Sequence, residues 1–254
     1  MPRYAYVIDL NRCMGCNACV EACKIENNTG EGMLWMYVFR LEKGKYPDVN
    51  WQFMPRPCMH CDNPPCVKVC PVGARFKRED GFTLTDFDRC IGCRFCEVSC
   101  PYGVNYFNWK KPKDNQYFAW HEEEGAGVYG SGSAGQIIGN AVVPYENPDH
   151  KKLYGERLVS GGAHYLGVVG KCTWCVHRVE KGLPPACVAN CPVHALHFGD
   201  LDDPGSEVSN LLKRGNVWRL LEELGTEPRV YYLGGQQPGH DLRLWYTRRQ
   251  EVKA

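Results

Sequence analysis

The 254-residue chain contains 16 cysteines, and their spacing constrains the fold more than any other feature of the sequence. The cysteines fall into four groups of four. In chain order the groups are Cys13, Cys16, Cys19 and Cys23; Cys58, Cys61, Cys66 and Cys70; Cys90, Cys93, Cys96 and Cys100; and Cys172, Cys175, Cys187 and Cys191. The first and third groups are compact, C-x2-C-x2-C-x3-C, whereas the second and fourth are expanded before their final C-x3-C. This alternation indicates an internal duplication.

Three thiolates on one tight loop can surround a single small metal cluster, with metal–sulfur bonds of about 2.3 Å if zinc–thiolate bonds are a guide. The fourth cysteine of the group lies one helical turn further on and points elsewhere. Bacterial ferredoxins use the same run, and its fourth cysteine binds a second cluster. The sequence therefore predicts an α+β fold of two bacterial-ferredoxin-like modules, each binding two 4Fe–4S clusters.

Two other uses of cysteine fit this pattern less well. Disulfide scaffolds are typical of short secreted chains, whereas densely repeated C-x2-C pairs favour metal binding. Structural zinc sites also use C-x2-C pairs, but they draw two pairs from separate hairpins and need no further cysteine three residues on. Four groups that all end in C-x3-C therefore favour iron–sulfur clusters.

The groups can be paired because the last cysteine of each group can bind the cluster that another group holds. Nineteen residues separate Cys70 from Cys90, a gap that suits two facing ferredoxin loops, so groups two and three pair and groups one and four remain. This nested arrangement gives four sets, each holding one cluster. Set one is Cys13, Cys16, Cys19 and Cys191; set two is Cys172, Cys175, Cys187 and Cys23; set three is Cys58, Cys61, Cys66 and Cys100; set four is Cys90, Cys93, Cys96 and Cys70. The duplication also permits adjacent groups to pair, one with two and three with four.

The nested arrangement divides the chain into two modules. Residues 1–54 plus 171–233 form the first module, and residues 55–110 form the second. Residues 111–170 are a long loop insertion rich in glycine and polar residues, which is either a disordered surface loop or an arm that contacts a partner subunit. Residues 234–254 form a polar tail.

Local patterns predict several elements around the cysteines. We expect strands at residues 4–10, 33–41, 82–85 and 229–233, with residues 45–54 as a strand or loop beside the second of these. Lys24 follows the first group where proline follows the others, so a helix should continue through Cys23 to about Asn27. A second helix is expected over residues 203–213, with Asp203 as its N-cap and Pro204 in its first turn.

Composition excludes several classes of protein. The net charge of +1 lacks the basic balance of a nucleic-acid-binding protein. The sequence has no nucleophile motif, no glycine-rich nucleotide loop and no paired carboxylates at a ligand spacing, so we expect no catalytic centre and no bound nucleotide. We also expect no signal peptide or transmembrane segment.

Other residues beside the cysteines are less informative. Arg12, Arg89, Arg94 and Lys171 adjoin ligands and could raise cluster potentials, but exposed single cations are more often surface charges. His60 and His177 are interpreted as structural, and Trp109 and Trp174 as packing residues.

The motifs CMGCNACVEACK, HCDNPPCVKVCPVGA, CIGCRFCEVSCPYGV and KCTWCVHRVEKGLPPACVANCP resemble those of the four-cluster electron-transfer subunits of complex iron–sulfur molybdoenzymes. The resemblance covers most of the chain outside the insertion and the tail. It implies the nested pairing, and a full 4Fe–4S cluster at set four because Cys93 is present. The N- and C-terminal segments look most similar to the polysulfide, tetrathionate and arsenate branches.

The resemblance also implies partners. These are a catalytic subunit with molybdopterin bis-guanine dinucleotide and an integral-membrane quinone-binding subunit. The chain would bind no molybdopterin itself, and it would associate with the membrane through these partners, on the cytoplasmic face or in the periplasm by co-export. The expected function is electron transfer in the respiration or oxidation of polysulfide, thiosulfate, tetrathionate or sulfite. The alternatives are an arsenate reductase, a quinol-oxidising alternative complex or a stand-alone soluble polyferredoxin.

Overall fold

A computed structural model describes residues 2–30, 32–110, 152–160 and 166–238. The strands are β1 (Tyr4–Asp9), β2 (Tyr37–Lys45), β3 (Asp48–Arg56), β4 (Arg75–Lys77), β5 (Thr83–Thr85), β6 (Tyr106–Phe107), β7 (Lys152–Tyr154), β8 (Arg157–Ser160), β9 (Val169–Gly170), β10 (Leu196–Asp200), β11 (Val217–Trp218) and β12 (Val230–Leu233). The α-helices are α1 (Ala18–Asn27), α2 (Pro65–Lys68), α3 (Phe95–Ser99), α4 (Val176–Val179), α5 (Ala186–Ala189) and α6 (Glu207–Leu212), and a 3-10 helix spans Glu222–Leu224.

A four-stranded sheet in the order β10-β1-β12-β11 joins the two ends of the described chain. Strand β1 lies at its centre, antiparallel to β10 and parallel to β12. Both faces of β1 are covered: Tyr6 and Ile8 pack into the main core, whereas Ala5 and Val7 pack with Val208 of α6 in a smaller cluster. Burial of a valine side chain such as that of Val208 contributes about 1.5–3 kcal/mol.

Helix α1 confirms the prediction that the first group continues as a helix to Asn27. The side chain of Lys24 is buried, and its ammonium donates to the carbonyls of Thr29, Gly30 and Met33 at 3.1–3.2 Å. Lys24 therefore fixes the loop that follows α1, which a proline at this position would not do.

The predicted strands at 4–10, 82–85 and 229–233 are confirmed as β1, β5 and β12. Two predictions are corrected. The strand expected at 33–41 begins only at Tyr37 and pairs with β3. The helix expected at 203–213 is capped by Ser206, whose Oγ accepts from the Ser209 amide at 3.1 Å. Asp203 instead accepts from the Gly205 amide at 2.8 Å, so Asp203 and Pro204 belong to a turn before the helix.

Part of the predicted insertion forms regular structure. Strands β7 and β8 form a hairpin whose Leu158 and Val159 are buried, and the Leu158 carbonyl accepts from the Phe87 amide at 3.0 Å. Strand β9 pairs with β6 of the second module. Residues 111–151, 161–165 and 239–254 lie outside the described residues, and the predicted loop or arm and most of the predicted tail fall there.

Candidate iron–sulfur cluster sites

The four cysteines of set three line one cavity. Cys58, Cys61, Cys66 and Cys100 line it together with Tyr102 and other residues. The space lies between the segment that runs from β3 into α2 and the segment after α3. The structure therefore brings the last cysteine of group three to the first three cysteines of group two.

The four cysteines of set four line a second cavity. Cys70, Cys90, Cys93 and Cys96 line it, with Arg75 in the wall. The backbone amide of Arg75 lies 3.4 Å from Cys70 Sγ, where it can donate to a thiolate. Here the last cysteine of group two joins the first three of group three.

The donor set of these cavities fits a 4Fe–4S cluster, because each cavity is lined by four cysteine sulfurs. Among the described residues, no three side chains of Cys, His, Asp or Glu converge closely enough to hold a single metal ion.

In sets one and two, the pKa of one thiol shows which other cysteines lie close to it. Burial raises the pKa of Cys19 to about 12, and Cys13, Cys191 and Cys16 contribute to this rise as neighbouring sulfurs. Burial also raises the pKa of Cys23 well above its usual value, and the next contributions come from set-two thiols. These contributors are Cys172, Cys175 and Cys187. The structure thus brings Cys191 to set one and Cys23 to set two.

These raised pKa values describe thiols that hold their protons at neutral pH. In set three, burial followed by the neighbouring Cys58 raises the pKa of Cys61 to about 12. In set two, burial raises the pKa of Cys172 to about 11. Iron binds the thiolate, so occupation of these sites releases protons and couples cofactor binding to folding.

Glycine shapes both compact groups. Gly15 and Gly92 occupy the same place, between the first and second cysteines, and have φ values of 70° and 69°. A side chain at Gly92 would collide with the Gly167 carbonyl. Asn17 and Arg94 then precede α1 and α3 with φ values of 63° and 65°. The two loops therefore have matching backbone turns, as expected of a duplication.

Several donors to sulfur were not predicted from the sequence. The Tyr6 hydroxyl lies 3.3 Å from Cys187 Sγ, and Asn27 Nδ2 lies 3.6 Å from Cys23 Sγ. The guanidinium of Arg75 lies 3.6 Å from Cys96 Sγ. Tyr6 and Arg75 are distant in sequence from those cysteines and only the fold brings them close, whereas Asn27 follows Cys23 by one helical turn and could have been found.

The cations predicted at the surface differ in burial. Arg89 is 59% exposed and pairs with Asp86 at 3.7 Å. Arg94 pairs with Glu97 at 2.6 Å. Lys171 is only 2% exposed, so its interpretation as a surface charge was wrong. Its ammonium donates to the carbonyls of Cys172 and Thr83, which places a buried cation between sets two and three.

His60 confirms its structural interpretation. Its Nδ1 accepts from the Thr83 amide at 3.0 Å, so Nε2 carries the proton and donates to the Cys172 carbonyl at 2.9 Å. Burial, then the charge of Lys171, lowers the pKa of His60 well below its usual value. His177 pairs with the buried Glu26 at 2.8 Å.

The four sets follow one another in space. Cys19 of set one contributes to the raised pKa of Cys23 in set two. Cys58 of set three does the same for Cys172 of set two. Cys66 of set three and Cys96 of set four pack in one buried cluster with Val169. Set two therefore neighbours sets one and three, and set three neighbours set four.

Comparison with known proteins agrees with this geometry. Residues 49–116 with 162–201, and separately residues 12–74, match families described as 4Fe-4S dicluster domains. The chain is 42% identical, over 91% of its length and 96% of the relative, to the arsenate respiratory reductase iron-sulfur subunit of Shewanella sp. strain ANA-3. It is 40% identical to a selenate reductase subunit of Mesobacillus selenatarsenatis, over 91% of this chain and 72% of the relative. It is 36% identical to a tetrathionate reductase subunit of Salmonella typhimurium, over 91% of this chain and 72% of the relative.

The matched dicluster domains and the sixteen cysteines define an electron-transfer protein with four 4Fe–4S clusters. The chain belongs to the family of iron–sulfur subunits of molybdoenzyme complexes.

Proposed function

We propose that sets one to four each hold one 4Fe–4S cluster and pass electrons along the chain in that order. A bound cluster takes up and releases one electron at a time, and the protein tunes its potential through charge, hydrogen bonds and exposure. The observation that carries the proposal is the pair of cavities that unite Cys100 with group two and Cys70 with group three.

The exposure of the cysteines supports entry and exit at the two ends. Cys16 of set one and Cys93 of set four are exposed. In contrast, the cysteines of set two are 5–6% exposed. Sheltered central sites keep electrons from leaving the path, and exposed terminal sites allow close approach of a redox partner.

The two ends differ in the surface around them. Val72 and Ile91 line the set-four cavity with Cys93, and Phe95 and Val98 follow Cys93 in the chain. These four apolar side chains have exposed fractions of 37–88%. At the other end, Met14 is exposed beside Cys16. We assign the apolar end to an integral-membrane quinone-binding subunit, and the set-one end to a catalytic subunit with molybdopterin bis-guanine dinucleotide. Among the described residues, no helix has the length and apolar character needed to span a membrane.

For the terminal substrate, we propose an inorganic oxyanion. The arsenate and selenate relatives are 42% and 40% identical to this chain, and the tetrathionate relative is 36% identical. This similarity favours arsenate as the terminal substrate over the sulfur compounds that the sequence motifs indicate. The catalytic subunit selects the substrate, so this chain serves any of them by the same route.

The test is the iron, acid-labile sulfide and molybdenum content of protein purified without oxygen from its native cells. We expect about sixteen iron and sixteen sulfide per chain, the content of four 4Fe–4S clusters. Co-purified molybdenum identifies the complex. Zinc in place of iron contradicts the proposal, and a chain that purifies alone with full iron favours the stand-alone polyferredoxin.

A further inference from the structure

Arg75 lies beside set four and is 3% exposed. It is the first residue of β4, five residues after Cys70. One of its guanidinium nitrogens, Nη2, lies 3.6 Å from Cys96 Sγ and donates to the Val169 carbonyl at 3.3 Å. The side chain therefore lies in the wall of the set-four cavity.

The other nitrogen atoms of this guanidinium carry N–H donors that are not used. Among the described residues, no acceptor lies within reach of Arg75 Nε or Nη1, although both atoms are buried. A guanidinium presents five N–H donors, and leaving them buried and unsatisfied costs stability. The buried ammonium of Lys171 differs, because it donates to two backbone carbonyls. The sulfur atoms of a cluster in the adjoining cavity would supply acceptors for Arg75.

The guanidinium of Arg75 lies against residues where the two sets meet. Its Nη2 is 3.6 Å from Cys96 Sγ of set four and 3.3 Å from the Val169 carbonyl. Cys66 and Cys96 also pack together against Val169. One cation is therefore positioned to interact with two neighbouring clusters.

We propose that Arg75 donates hydrogen bonds to the sulfur atoms of the set-four cluster and raises the reduction potentials of both the set-four and set-three clusters. The inference rests on the ligand sets proposed above. Reduction adds one negative charge to a cluster that already carries about −2 with its four thiolates. A buried cation stabilises the added charge, and solvent screens it little. Arg75 is a positioning and tuning residue, and it accepts no electron itself.

The test is a potentiometric titration of the full chain, isolated anaerobically with its clusters and followed by electron paramagnetic resonance. Cys93→Ser identifies the signal of set four, because Cys93 belongs to that set alone. Arg75→Gln removes the charge, and Arg75→Lys keeps the charge without the planar fork. The matched control is Arg89→Gln, which removes a charge adjacent to Cys90 from a side chain that is 59% exposed.

In Arg75→Gln, we expect the reduced-to-oxidised ratio of the set-four cluster at fixed potential to fall about tenfold, a shift of about −59 mV for one electron. The set-three potential should also fall, sets one and two should stay unchanged, and Arg75→Lys should recover part of the shift. A shift no larger than that of Arg89→Gln, or an equal shift of all four clusters, overturns the proposal. Loss of iron in both Arg75 variants also overturns it, since Arg75 would then only hold the fold.

If the proposed assignment of cysteines to clusters is wrong, the experiment gives a different result. In that case the unmodified chain would lack four clusters, or Cys93→Ser and Cys70→Ser would alter different signals. The role of Arg75 is judged only against an unmodified chain with about sixteen iron, the content of four clusters.

Discussion

The imidazole of His60 stacks on the indole of Trp174, with ring centroids 4.0 Å apart and planes inclined by 20°. The two residues exchange hydrogen bonds with each other's ligand loops. His60 donates to the Cys172 carbonyl at 2.9 Å, and Trp174 Nε1 donates to the Cys58 carbonyl at 3.0 Å. Both residues have positive φ values, 42° and 54°. The stack therefore joins the second and fourth cysteine groups through equivalent positions, each directly before the second cysteine of its group.

Trp174→Phe should destabilise this junction. It removes the indole donor to the buried Cys58 carbonyl and leaves a space, at a cost of about 2–4 kcal/mol. We expect the apparent melting temperature of the iron-loaded chain to fall by roughly 5–10 °C. Trp109→Phe is the control, because Trp109 is 66% exposed. Equal melting temperatures for the two variants would contradict the role of the stack.

Lys24→Met should loosen the loop after α1. It leaves the carbonyls of Thr29, Gly30 and Met33 without the ammonium, which costs about 2–3 kcal/mol. Limited proteolysis should then cut near residues 28–33 faster than in the unmodified chain. Lys68→Met is the control, since Lys68 is exposed and two residues from a ligand. Unchanged cleavage in Lys24→Met would show that the loop is held by other contacts.

Leu158→Ala tests whether the β7–β8 hairpin belongs to the second module. Leu158 is 6% exposed, whereas its cross-strand partner Leu153 is 50% exposed. Leu158→Ala should cost about 2–4 kcal/mol of stability and Leu153→Ala about 1 kcal/mol or less. Thermal unfolding measures both. If the hairpin instead serves only as a contact for a partner, neither variant will change the stability of the isolated chain.

A chelator should remove iron faster from the exposed sets than from the buried sets. Cys16 and Cys93 are exposed, whereas the cysteines of set two are buried. A chelator should therefore remove iron in two phases, with about half of the iron lost quickly from sets one and four. Release in a single phase would contradict separate terminal and central sites.

The sequence predicts the cofactor class well, because cysteine spacing is a local property. Gly15 and Gly92 also follow from local geometry, since each turn requires a left-handed residue between two ligands. Helix α1 could be predicted from Lys24 in place of proline. These features depend only on residues close together in the chain.

Long-range contacts could not be predicted in this way. Lys171 and Arg89 look alike in sequence, each directly before a cysteine, yet one is buried and the other is exposed. Tyr6 reaches Cys187 across 181 residues. The Ser206 cap was missed because Asp203 and Pro204 also form a good turn signal. In each case the outcome depends on contacts that the local sequence pattern does not contain.

The nested pairing is the central claim, and spectra of single cysteine variants test it most directly. The nested sets predict that Cys191→Ser alters the same electron paramagnetic resonance signal as Cys16→Ser, and that Cys23→Ser alters the same signal as Cys175→Ser. Adjacent pairing would make Cys191→Ser alter the signal that Cys93→Ser alters. That second result would contradict the order of sites from set one to set four.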